Sequence, residues 1–262
     1  PPYQAPQVAK GKRGSGDTLW NKFTEKALGE WMCAGGILGA IHPPGWRKPD
    51  SPRSQFRGLY KKMTKDHFME FLSIHGLEDG KKTFNAGTRY DWYIIHKRCA
   101  KSSDMTRVRD EYGLEAPIKL QDRFWLPQSV FDKVDKLCGE GGEILFGCDY
   151  HTQNSKSKTT KTQTAEYCHS LVHTTPSKGI KYYYTNDNTR GHFGIPKVIF
   201  GDGGPVINDA VVDAKGVQGM TQHAMAIPIK DQKDGEKLKA FLISEEFKIV
   251  LRACSWTNFQ ID

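Results

Sequence analysis

Three groups of residues in this chain are of types and spacings that could do chemistry. They are the proline pair and aromatic Pro1-Pro2-Tyr3, the run His42-Pro43-Pro44-Gly45-Trp46-Arg47 at the end of an apolar stretch, and the cluster Tyr90, Trp92 and Tyr93. Pro1-Pro2-Tyr3 is too short to carry meaning by itself. Trp46 and Arg47 follow the apolar run Ile37–Ile41, and open α/β sheets collect functional residues just past their strand ends. The aromatic cluster either offers ring faces to a planar ligand or fills the core of a β-strand. Lys156, Lys158 and Lys161 lie in a polar stretch, 151–164, that contains no acid. It reads equally as a set of phosphate contacts and as a solvated loop. The six cysteines are scattered without a C-x-x-C pair, so they read as free thiols rather than a metal site or disulfide framework. Cys168 and His169 are adjacent, and neighbours on a strand point to opposite faces.

The bulk properties narrow the partners. The chain has 262 residues, with 38 Lys+Arg against 30 Asp+Glu and a formal net charge of +8. That length accommodates two modest domains, and the excess positive field favours a polyanion, with nucleic acid first. The longest apolar stretch, 34–41, is interrupted by glycine and falls well short of the roughly 20 residues that span a bilayer. No charged segment followed by an apolar one opens the chain. A soluble, intracellular protein, cytoplasmic or nucleoid-associated, is the expectation.

The elements that must position these residues follow from periodicity. Residues 5–18 read as a basic loop. Asp17 or Thr18 can cap a helix reaching about Gly29, with Leu19, Phe23, Ala27 and Leu28 on one face. Gly35-Gly36 then turns the chain into Ile37–Ile41, a short apolar run of the kind found in a buried parallel strand. A helix over 54–63, a strand over 68–75 and an aromatic, β-branched strand over 88–97 come next. Residues 100–117 are charged and unpatterned, which suits a linker. Beyond it we expect a helix over 127–137, strands at 181–184 and 196–200 with a turn at 201–204, and one helix over 236–254. The boundary is set between residues 105 and 106, giving domains 1–105 and 106–262.

Taken in order, PPYQ, then GSGDTLWNKFTEKAL, then GGILGAIHPPGWRKP, the first part of the chain resembles the central motifs of S-adenosylmethionine-dependent DNA methyltransferases of the adenine-N6 type, the restriction-modification-like enzymes. Their base-binding motif reads (Asn/Asp)-Pro-Pro-(Tyr/Phe). Segment 84–93 is similar to the family's later aromatic motif, and PKVIFG at 196–201 and GMTQHAM at 219–225 are similar, more loosely, to its specificity region. The resemblance implies an α/β fold: part of a Rossmann-like methyltransferase sheet, followed by an α+β target-recognition domain.

It also implies roles. The Pro1 carbonyl, held rigid by the prolines, accepts a hydrogen bond from the adenine amine, and Tyr3 stacks on a base swung out of double-stranded DNA. Tyr90, Trp92 or Tyr93 supplies a second aromatic face, with Trp46 and Arg47 near the active site. Lys156, Lys158, Lys161, Asn186, Arg190 and Gln222 are the candidate DNA contacts, with Gln153, Asn154 and Asn188 as further candidate base readers. The cofactor would be S-adenosylmethionine. The sequence departs from the family in lacking the Asn or Asp that opens the motif and the Gly-rich cofactor loop, since GKRGSG at 11–16 follows no strand. Activity is therefore expected to need a cofactor-binding half supplied in cis or by a second polypeptide. The alternative is a non-catalytic, DNA-binding specificity subunit or decayed copy.

Overall fold

The computed structural model describes residues 18–52, 54–137, 141–153 and 158–256. No helix among them is long and apolar enough to cross a membrane. The fold is mixed α/β with three sheets, and the chain divides into two compact units, 1–131 and 132–262.

The first unit opens with α1 (Trp20–Lys26), which widens into a π-type turn, Ala27–Trp31, before β1 (Ile37–His42). Leu19, not Thr18, occupies the N-cap, with no side-chain hydrogen bond closing it. A 3-10 turn, Pro44–Arg47, and a short α2 (Leu59–Lys61) that also widens into a π-type turn lead to β2 (Phe68–His75). Then come α3 (Leu77–Phe84), β3 (Tyr90–His96), β4 (Thr106–Arg109) and β5 (Glu115–Ile118). The helix expected over 54–63 is thus only its last part, continued to Asp66 by the wider turn.

These strands form one mixed sheet in the order β1-β3-β2-β4-β5. β3 runs antiparallel to both β1 and β2, while β2 and β4 are parallel. Two expectations are corrected here. Ile37–Ile41 is not a buried parallel strand: it pairs antiparallel with β3 and alternates between half-buried and exposed positions. Residues 100–117 are not a linker, because β4 and β5 extend the first sheet, so the division falls after residue 131 rather than 105. Strands this short and charged carry too little apolar alternation to be read from sequence. One face of the sheet packs Leu72, Ile74, Tyr93 and Ile95 against Trp20 of α1 and Met63 beyond α2.

The second unit opens within α4 (Phe131–Leu137), which spans the division in the chain. It contains β6 (Leu145–Phe146), β7 (Thr159–Thr160), β8 (His169–Thr174), β9 (Lys181–Thr185), β10 (Lys197–Gly201), β11 (Ala210–Asp213), β12 (Gly219–Met220) and β13 (Ala224–Pro228). Two four-stranded sheets result, β11-β10-β13-β6 and β12-β8-β9-β7. Ile199, Val211 and Ala226 of the first meet Val172 and Met220 of the second in one core. The opposite face of β10, carrying Val198 and Phe200, is closed by Leu242 and its neighbours on α5 (Gln232–Leu242) and α6 (Glu245–Ala253). The single helix expected over 236–254 is two, because the Ser244 side chain accepts a hydrogen bond from the Phe247 N–H and starts a new helix.

β10 is buried on both faces and still carries a lysine. The Lys197 ammonium is fully enclosed and donates to Asp213 Oδ2 at 3.0 Å, the Ile195 carbonyl at 3.0 Å and the Gln218 carbonyl at 2.7 Å. Asp213 in turn accepts the backbone N–H groups of Val217 and Gln218. An enclosed charge deprived of its counter-ion is far costlier than an apolar replacement of both. Lys197→Met alone should therefore lower unfolding free energy by about 3–5 kcal/mol, read as a reduced urea midpoint, and Lys197→Met/Asp213→Leu should recover part of the loss. A single variant as stable as the wild type would contradict this reading of the pair.

Candidate functional site

The alternation of β3 sends successive side chains to opposite faces of the sheet. Asp91, Tyr93 and Ile95 go to the core side; Tyr90, Trp92 and Ile94 go to the other. The candidate aromatics are therefore separated. Tyr93 is completely buried, with its hydroxyl 2.8 Å from His42 Nε2, and burial pushes its pKa up. Tyr90 is also buried, stacked on His75 at 4.3 Å and 6° and edged by Phe84. Trp92 alone of the three is partly open. It lies opposite Ile41 on β1 and Ser73 on β2, tilted against Phe71 at 4.7 Å.

Trp92 borders an apolar groove of about 700 Å³ along β1, shared with Trp20, Phe23, Trp31, Ile41 and Phe84. Trp31, Ile41 and Phe84 are all exposed. Among the described residues no strand pairs with the outer edge of β1. An open edge next to an apolar face is a surface built to be covered, since it otherwise invites aggregation.

Trp46 and Arg47 do not face this groove as solvent-accessible groups. Both are interior, at 1% and 0% exposure. Arg47 is clamped to Asp91 through Nε at 2.8 Å and Nη2 at 3.0 Å. Its remaining donors reach the carbonyls of Leu126 and Pro127 and the Gln128 side chain. Trp46 Nε1 donates to the same Asp91 carboxylate at 2.9 Å. Their position past a strand end suggested contact with a ligand; the geometry makes them a buried brace for the sheet. Asp91, which sequence reasoning passed over, is the centre of that brace, and a lone acid between Tyr90 and Trp92 was its signal.

His42 joins the brace to the groove. Its ring stacks on Trp20 at 3.9 Å and packs edge-on to Trp46 and Tyr93. Burial drives its pKa down to about 4, against weaker opposing contributions from the Pro43 carbonyl and Asp91.

In the second unit the candidate DNA contacts are likewise sorted. Gln222 is committed internally, accepting from the Thr152 N–H at 3.1 Å and donating to Thr152 Oγ1 at 3.1 Å. Arg190 is half-engaged, paired with Asp187 at 3.1 Å and lying 5.8 Å from the Tyr150 ring. Asn186, Lys158 and Lys161 are exposed, and Lys161 stands at the rim of a cavity with His173, Lys181 and Tyr183. Lys181, His173 and His223 were missed because the bulge and loop that assemble them leave no periodic trace. Pro1, Pro2, Tyr3 and Lys156 lie outside the described residues.

No family model and no curated protein compared with this chain gave a match.

The His42 environment has a pH consequence. Its folded-state pKa lies below the ordinary 6.5, so its contribution is intact above about pH 6.5 and is lost as pH falls towards 4. The unfolded chain binds that proton more readily. Urea unfolding should show stability declining across this window by up to about 3 kcal/mol, and His42→Phe should flatten the decline. An unchanged slope in the variant would exclude His42 as its source.

Proposed function

We propose that this chain is the base-binding and target-recognition portion of an S-adenosylmethionine-dependent DNA methyltransferase acting on adenine N6, with a partial Rossmann-like sheet in its first unit. The observation that carries the reading is the layout following Pro1-Pro2-Tyr3. A helix leads into an edge strand, β1, whose outer side has no neighbour among the described residues, and an aromatic strand beside it presents Trp92 to an open groove. That is the arrangement expected if a further strand and its helix belong against β1.

In this reading the chain's own groups bind and orient the base. The Pro1 carbonyl accepts a hydrogen bond from the adenine amine and helps draw the nitrogen towards tetrahedral geometry, stabilising positive charge that develops as it attacks. Tyr3 supplies a stacking face for the flipped base. The net charge of +8 and the exposed Lys158 and Lys161 support binding to the phosphate backbone of DNA.

The described residues do not by themselves fit the methyl donor. The passage from β2 into α3 has a single glycine, Gly76, and opens the helix with Glu78 and Asp79, so it is no Gly-rich cradle. The large groove in the same unit is almost wholly apolar in its lining. The donor is therefore assigned to another part of the enzyme. The same observation favours a second reading, a DNA-binding specificity subunit or decayed copy that transfers nothing.

Both are tested by co-producing this chain with the coding sequence immediately upstream and assaying labelled methyl transfer to adenine in unmethylated duplex DNA. Transfer should appear, and Tyr3→Ala should slow it about 10- to 100-fold through lost stacking while DNA affinity changes only a few-fold. DNA binding with no transfer selects the specificity subunit.

A further inference from the structure

The second unit holds a cavity of about 460 Å³ lined by Lys161, His173, Thr174, Lys181, Tyr182 and Tyr183. Its size is within the roughly 300–1,000 Å³ range of ligand pockets. It is built by an irregularity in the β8–β9 pair. The register runs regularly from His169 opposite Thr185 to Val172 opposite Tyr182, then jumps to Thr174 opposite Lys181, leaving His173 as the extra residue of a β-bulge. A bulge re-aims a side chain that a regular strand would place elsewhere. Here it sets His173 beside the Tyr183 ring, 4.7 Å away.

His173 is held, not free to swing. Its Nδ1 lies 2.8 Å from the hydroxyl of Thr221. Thr221 is itself fully buried and tied by its backbone N–H to the Val172 carbonyl. Nε2 is then the ring's remaining polar atom. The His223 ring stands edge-on at 5.2 Å, and its own acidic neighbour, Asp202, is 3.7 Å from its Nδ1.

The charges here do not balance. Lys161 and Lys181 are exposed, and neither has an ion-pair partner among the described residues. Burial, His223, Lys181 and Lys161 all lower the His173 pKa, and Asp202 opposes them. Of the acids that act on its lining among the described residues, Asp202 sits beside His223 and Asp209 is already paired with Lys239, so cationic groups converging on one concavity describe a site that gains by receiving an anion. The Tyr183 ring and the cavity's size leave room for a sugar attached to that anion.

We propose that this cavity is a phosphate-backbone site for DNA, in which Lys161 and Lys181 neutralise a phosphodiester, His173 offers its free ring edge and Tyr183 packs against the adjoining sugar. This deepens the DNA-binding part of the function proposed above and rests on it. It commits two particular lysines, one on the segment after β7 and one at the start of β9, as a pair of phosphate contacts.

The test is binding of the full chain to a fluorescently labelled mixed-sequence duplex at several salt concentrations. Removing two phosphate contacts should lower the slope of log K against log salt by about two. Lys161→Gln/Lys181→Gln should show that drop and bind at least about 10-fold more weakly at low salt. Both lysines are exposed, so the unfolding midpoint should hold. The charge-matched control, Lys233→Gln/Lys237→Gln on the exposed side of α5, should stay near wild type. Equal losses in both double variants, or no loss in the cavity pair while the wild type binds, would overturn the site and leave the DNA-binding reading standing. A wild-type chain that binds no duplex even at low salt removes that reading and the site with it.

Discussion

The first unit depends on one buried charge pair. Arg47 and Asp91 are both fully enclosed, and an enclosed guanidinium is tolerable only if its donors are met. Asp91 meets two, and the carbonyls of Leu126 and Pro127 and the Gln128 amide oxygen meet the others. That set of bonds ties together the turn after β1, the start of β3 and a stretch of chain near residue 127. It is a physical reason why the unit extends to residue 131. Losing any partner leaves a desolvated charge, so these segments are fixed as a group. Trp46 and His42 ride on the same arrangement, through Asp91 and Tyr93 respectively.

The other face of the same sheet is far less complete. Asp91 and Tyr93 point into the core, so period-two alternation sends Trp92 and Ile94 to a face where Ile41 and Phe84 remain exposed. The interior brace thereby determines which aromatic is available to a ligand or to a covering segment. The methyltransferase reading draws on this contrast between a closed core side and an open edge.

The second unit solves burial differently, with two sheets face to face and a helical layer behind β10. Its buried Lys197–Asp213 pair plays a part like that of Arg47–Asp91, pinning the segment around Gln218. That segment leads directly to β12 and Thr221, the residue that orients His173. Positioning of the cationic cavity thus rests on local hydrogen bonding of a bulge and a loop, not on the core packing that defines the fold.

What the sequence by itself determined is the set of strongly patterned elements. The aromatic strand β3, the apolar β1 and β2, the strands β9 and β10 and the existence of a C-terminal helical region were all legible, because their periodicity is dense and local. The positive charge and the scattered cysteines were legible too. Tertiary structure alone decided the rest. The antiparallel setting of β1, the recruitment of the charged β4 and β5, and the break at Ser244 depend on partners distant in sequence or on a single cap. The roles of the chemical residues were decided there as well. Arg47 and Gln222, which looked like ligand contacts, are consumed internally, while His173 and Lys181, which carried no motif, converge only because a bulge shifts the register. Residue type announces what a side chain can do, but burial and the choice of partner, set by the whole fold, determine whether it is free to do it.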